Sequence, residues 1–201
     1  MRAKSIDLLL LGCTVCLAVV AAGCGDLVRQ DKSSVTLIID SLAGASGASG
    51  SVGTFSGTLQ SDVLTVVNGR SSTFSDSGQV TMRFSMKDVL TTPSAVNAIT
   101  INRYRVTFRR SDGRNTPGVD VPFPFDSAVT FTIAPSGTVT QVFELVRHVA
   151  KDEAPLGALA FSPVVISTVA DVTFFGRDQA GNELSVTGSI GVQFGNFADP
   201  S

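Results

Sequence analysis

From Val80 to Lys87 the chain alternates: Val80, Met82, Phe84 and Met86 are apolar, while Thr81, Arg83, Ser85 and Lys87 between them are polar. Successive side chains on a strand point to opposite faces, so this spacing predicts a half-buried strand. The same period returns from Ile99 to Arg110, but its parity switches partway. Ile99 and Ile101 are odd-numbered, whereas Tyr104, Val106 and Phe108 are even. One residue must be absorbed near Asn102 and Arg103, and a β-bulge does this most simply. Past the bulge the apolar set faces inward and Arg103, Arg105 and Arg109 face solvent. The "SDGR" that follows reads as a turn.

Other stretches carry the same signature. Val35 to Leu42 opens the folded part, and Gly44 to Gly53, "GASGASGSVG", reads as a flexible loop. Val129, Phe131 and Ile133 mark a strand closed by Pro135-Ser136-Gly137. Thr138 to Val146 suits a strand by its Thr-Val-Thr start, although Val142, Leu145, Val146 and Val149 would also fit a helix face. At most one helical turn is expected, within 152–159. Near the end, Ala170, Val172 and Phe174 alternate with Asp171, Thr173 and Phe175, and Leu184, Val186, Ile190, Val192 and Phe194 share a parity. Between them "RDQAGNE" offers Gly181 and Asn182 for positive backbone angles and Asp178 to cap the turn, which predicts a hairpin of 170–177 with 183–194. Seven to nine strands with no long helical pattern read as an all-β, antiparallel sandwich. The D-x-x-G-N hairpin resembles the last hairpin of bacterial immunoglobulin-like domains. That resemblance implies an Ig-like or fibronectin-like β-sandwich, here a single domain over 34–197.

The first residues follow a different pattern. Arg2 and Lys4 precede an apolar stretch from Leu8 to Ala22, 15 residues long. A membrane-spanning helix needs about 18 or more, so the run fits the core of a secretory signal. Ala21-Ala22-Gly23-Cys24 then resembles the lipobox of bacterial lipoproteins, with Ala21 where leucine is usual. The resemblance implies that 1–23 is a signal peptide cleaved before Cys24. It further implies that the Cys24 sulfur carries a thioether lipid and the new amino terminus an acyl chain such as palmitate. Residues 24–33 are then a short tether, and membrane lipid is a partner through acylated Cys24. In enteric bacteria aspartate directly after the cysteine retains a lipoprotein in the inner membrane. Here Gly25 holds that place and Asp26 comes one later, so the implied location is the outer membrane, on its periplasmic or its surface face. The whole chain resembles predicted lipoproteins of Gram-negative bacteria, a likeness that brings no activity with it.

All three cysteines, Cys13, Cys16 and Cys24, lie within the first 24 residues. Cys13 and Cys16 have the spacing of a metal or redox pair but sit inside the apolar signal core. The domain is therefore expected to hold together without a disulfide. Charged residues make up 16% and hydrophobic ones 43%, too apolar for a disordered chain. Removing Arg2, Lys4 and Asp7 from 15 basic and 17 acidic residues leaves 13 and 16, a net charge of −3. A nucleic-acid partner would call for a basic excess, so none is expected.

Candidate chemistry is sparse. His148 is the one histidine, and no G-x-S-x-G or phosphate-cradling glycine loop accompanies it. An enzyme is not expected, nor a cofactor or metal. Calcium would have to use Asp112, Asp120 and Asp126, or Asp178, Asn182 and Glu183, which also suit ordinary turns. The arginine row Arg103, Arg105 and Arg109 is a candidate anion-binding face for an acidic polymer or lipid phosphate. Phe123 and Phe125, in "VPFPF", are candidate contacts for an envelope protein. Sugar platforms favour tryptophan and tyrosine, and this chain has no Trp and one Tyr. The sequence thus reads as a lipid-anchored cell-envelope protein with a non-catalytic binding or structural module. The alternatives are a motif-poor envelope hydrolase and a periplasmic carrier of an apolar ligand.

Overall fold

The computed structural model describes residues 32–48 and 52–197. The expected signal peptide, Cys24, the tether up to residue 31 and residues 49–51 of the Gly/Ser stretch lie outside the described residues. The chain is all-β and mostly antiparallel, with ten strands among the described residues. In order these are β1 (Val35–Ala45), β2 (Thr58–Asp62), β3 (Thr65–Val67), β4 (Arg70–Ser72) and β5 (Asp76–Met86). After them come β6 (Ile99–Arg109), β7 (Phe125–Ile133), β8 (Val139–Val146), β9 (Ile166–Asp178) and β10 (Glu183–Gly195). One sheet has the order β1-β5-β8 and a second β2-β10-β9-β6-β7; β3 and β4 form a small hairpin of their own. All pairings are antiparallel except β2, which runs parallel to β10 at the edge of the five-stranded sheet.

The two larger sheets share one core. Alternate residues of β5 and β8 from one sheet meet those of β6, β9 and β10 from the other. The register explains why. Ile99 and Ile101 are buried, and so are Tyr104, Val106 and Phe108 beyond the shift. Asn102 is skipped in the pairing of β6 with both β7 and β9, so the bulge stands where the parity change requires it. Arg103, Arg105 and Arg109 are exposed, as the alternation predicts. The last hairpin also forms as expected, with Glu183 opposite Arg177 through to Phe194 opposite Ile166.

Four local expectations change. The strand count rises because "VVNGRS" makes the tight β3–β4 hairpin, where Asn68 (φ 51°) and Gly69 (φ 74°) supply the left-handed pair of a two-residue turn. β1 continues through Gly44 and Ala45, into the stretch read as loop. Gly44 exchanges two backbone hydrogen bonds with Ser56, and a Cβ there would lie 2.9 Å from the Leu59 Cβ, so close packing makes this glycine part of the sheet. The helical turn comes earlier than 152–159, as α1 (His148–Asp152), and a 3-10 turn follows at Gly157–Phe161. In the final turn only Gly181 takes a positive φ, of 83°. Asn182 instead anchors to Asp178 through its backbone and side chain.

The register sorts the loops into two ends. Ser33 donates a hydrogen bond to Asp178, so the start of the described chain sits with the 87–98, 134–138 and 179–182 connections. The 110–124 and 147–165 connections lie at the opposite end.

Candidate functional site

The arginine row lies on the outer face of β6, but neighbouring strands already answer it. Asp126 on β7 takes Arg103 at 3.0 Å and Arg105 at 2.8 Å, and Asp171 on β9 takes Arg109 at 2.6 Å. The Arg103 guanidinium also lies over the Phe175 ring, 3.8 Å from its centroid. Three cations against two carboxylates leave one formal positive charge on this face. Solvent screens exposed pairs of this kind, so they contribute little to stability. An incoming anion would have to displace carboxylates already seated in the guanidinium forks.

The two phenylalanines of "VPFPF" part company. Phe125 opens β7 inside the core, edge-on to Tyr104 at 6.2 Å and under the Arg147 guanidinium at 4.6 Å. It is buried because it takes the inward parity of β7, so it is not available as a surface contact. Phe123 stays half exposed, with its ring over Gly118. There the positive φ of 75° and the ring, 2.3 Å from where a Cβ would sit, both call for glycine.

The acidic residues weighed for calcium are spent on turns and ion pairs. Asp112 holds Arg110 and Arg114, and Asp120 accepts the Thr116 backbone N–H. Among the described residues no group of three or more histidine, cysteine or carboxylate side chains is placed to hold a metal. His148 begins α1, with Nδ1 3.4 Å from the Ser75 hydroxyl. That hydroxyl donates to Glu144 at 2.6 Å and accepts the His148 backbone N–H at 3.1 Å. A nucleophilic serine would instead direct its proton to the imidazole, and a carboxylate would orient the ring from its far side. Ser75 here caps α1 and ties it to β8.

The most concentrated polar cluster lies inside the molecule, and the sequence reading passed over it. The Lys151 ammonium on α1 lies 2.9 Å and 3.0 Å from the two Asp76 carboxylate oxygens on β5, with both side chains fully buried. The third ammonium hydrogen goes to the Asp62 backbone carbonyl at 2.8 Å. Asp76 accepts two further bonds, from the Ser61 hydroxyl at 2.6 Å and the Gly47 backbone N–H at 3.0 Å. Burial pushes the Asp76 carboxyl above its ordinary value of 3.8, opposed first by the Lys151 charge and then by these bonds. The signal was available in part: the inward parity of Val80 and Met82, extended backwards, falls on Gly78 and Asp76. Its cation could not be found that way, because Lys151 lies 75 residues on.

Beside this cluster an open cleft of about 480 Å³ is bounded by Ser46, Ser56, Thr58, Gln60, Asp62 and Phe197. Among the described residues the one carboxylate on its wall, Asp62, is engaged on both oxygens, by the Phe197 backbone N–H and the Thr65 hydroxyl. The cleft thus offers polar surface and no assembled acid–base pair.

Asp178 closes the last hairpin and holds the start of β1. Burial tends to raise its carboxyl, but bonds from the Asn182 side chain, the Asn182 backbone and the Ser33 hydroxyl outweigh it and hold it below 3.8. A depressed carboxylate contributes stability that is present above its unfolded value and lost as pH falls through its folded one. Asp178→Ala should therefore be less stable than the parent at neutral pH. The gap should narrow below pH 3.8, as read by denaturant titrations along a pH series. A gap that widened on acidification would contradict the assignment.

No family model, curated protein or solved structure matches this chain.

Proposed function

We propose that this chain is a lipid-anchored cell-envelope protein, held in the outer membrane by Cys24, whose β domain is a non-catalytic Ig-like module that binds or scaffolds through its surface. The observation that carries the module reading is the filled interior. Both sheets contribute to one continuous cluster, and the aromatic rings of Tyr104, Phe143 and Phe174 close its centre at separations of 5.0–6.0 Å. A packed interior leaves the surface as the working part, which suits a module better than a carrier of apolar ligands.

The finer fold assignment rests on strand order. The β1-β5-β8 sheet corresponds to strands A-B-E of an immunoglobulin sandwich, and β10-β9-β6-β7 to G-F-C-C′. Strand β2 follows β1 across to the second sheet and joins the β10 edge. The final β9–β10 hairpin takes the place of the F–G pair, which agrees with the D-x-x-G-N resemblance.

The anchor rests on Ala21-Ala22-Gly23-Cys24 at the end of a 15-residue apolar run. Two acyl chains suffice for stable attachment, since each buried methylene contributes about 0.8 kcal/mol. In cells given labelled palmitate, the parent should carry label and sediment with outer membranes. The Cys24→Ala variant should lose both label and membrane association. Label retained by the variant, or absent from the parent, would reject the anchor. Crosslinking in native membranes would then identify what the surface meets.

A further inference from the structure

We propose that the loop between β5 and β6 is a second, non-covalent membrane contact, with Val89 and Leu90 seated at the headgroup–acyl boundary of the bilayer. This rests on the lipid-anchor reading and deepens it. Val89 and Leu90 are adjacent aliphatic side chains, exposed to 90% and 91%, and Val96 in the same loop is exposed to 62%. The far end also exposes apolar side chains, Phe161 to 92% and Val164 to 56%, so it is the position of the tether, and not exposure alone, that selects the end facing lipid. The turn is fixed by Asp88. One carboxylate oxygen accepts the Leu90 N–H at 3.0 Å and the other the Thr91 hydroxyl at 3.1 Å, while the Asp88 carbonyl accepts the Thr91 N–H. The local bonds hold the apolar pair outward instead of letting it fold back.

The occupant follows from where the chain leaves the domain. Both feet of the loop are bonded to Ser34: the Lys87 N–H donates to its carbonyl at 2.9 Å, and the Asn97 side chain to its hydroxyl at 3.0 Å. The path back to Cys24 therefore starts at the loop itself. Residues 25–33 reach at most about 30 Å even if fully extended, so an acylated Cys24 keeps this end beside the lipid surface. Lys32 and Lys87 stand at the same footing, beside the Asp88 carboxylate that is taken up by the turn itself. The opposite end, some ten residues along β6, faces away.

The test uses the full lipidated protein in vesicles of phosphatidylethanolamine and phosphatidylglycerol. All native cysteines lie at or before residue 24, so Leu90→Cys or Ser111→Cys supplies a single free thiol for a nitrobenzoxadiazole label. Both positions are exposed, so the fold tolerates the change. The label at 90 should shift to shorter emission wavelength on vesicle binding and lose emission to lipids spin-labelled near the headgroup. The label at 111, at the far end, should do neither. If the protein floats with vesicles while the label at 90 stays in water, the docking proposal is overturned and the anchor stands. Quenching at 111 with none at 90 would overturn it too, by placing the other end on the lipid. If the protein fails to float, the anchor reading fails and the docking proposal falls with it.

Discussion

Lys151→Met should destabilise the domain by about 3–5 kcal/mol, the usual result of removing one partner of a buried ion pair and leaving the other charge uncompensated. The Asp76 carboxylate would keep the Ser61 and Gly47 bonds but lose the ammonium that contacts both of its oxygens. For a domain of this size each kcal/mol moves the melting temperature by roughly 2–4 °C, so the drop should be about 6–20 °C. Burial already pushes the Asp76 carboxyl up, and without the lysine that push is unopposed by charge. A raised carboxyl contributes stability that is present at low pH and lost as pH rises through its folded value. The Lys151→Met penalty should therefore be greatest at neutral pH and shrink on mild acidification. Asp76→Leu alone should also cost several kcal/mol, because it strands the ammonium against the Asp62 carbonyl. The double variant should cost far less than the two singles together, since an apolar pair strands no charge. Additive costs in that cycle, measured by denaturant titration, would show that the two side chains do not act as a pair.

The pair also marks how far the sequence could be read. Alternation gave the β6 bulge and the outward arginines, because on a half-buried strand the pleat itself decides which side chain meets the core. It gave the closing hairpin for the same reason, helped by Gly181 and Asp178. What it could not give was the partner of any outward charge. Asp126 and Asp171 pair with the row from strands 21 and 62 residues distant from the arginines they meet, leaving one formal positive charge. Sheet neighbours are set by topology, and a local period of two carries no topology. The inward Asp76 and the split of Phe123 from Phe125 fall in the same class. Phe123 and Phe125 share one parity, and only Phe125 lies within β7, so where the strand begins, and not the alternation, sends one to solvent and the other to the core. The proposed lipobox stands on linear sequence alone, the form in which signal cores and processing sites are written, and it lies outside the described residues.

Gly78→Val should destabilise the domain by about 1–3 kcal/mol, although valine is the better strand residue by up to ~1 kcal/mol. Gly78 is on the inward parity of β5, paired with Phe143 on β8. Its backbone needs no positive φ, so the case for glycine is one of space. A Cβ at this position would lie 2.4 Å from the tip of the Phe143 ring and 2.8 Å from two more ring atoms. The ring has nowhere to retreat. It stands edge-on to Tyr104 at 5.0 Å and to Phe174 at 5.3 Å, and Tyr104 is itself held by its hydroxyl bond to the Glu144 carbonyl. Valine must therefore displace the aromatic centre that both sheets share, and overpacking outweighs propensity. Shortening the obstacle should reverse the balance. In a Phe143→Leu background the tip of the ring is gone, and Gly78→Val should cost much less or become stabilising. Denaturant titrations of the four proteins decide it. A stabilising Gly78→Val in the parent, or an equal penalty in both backgrounds, would mean that Phe143 is not what keeps residue 78 a glycine.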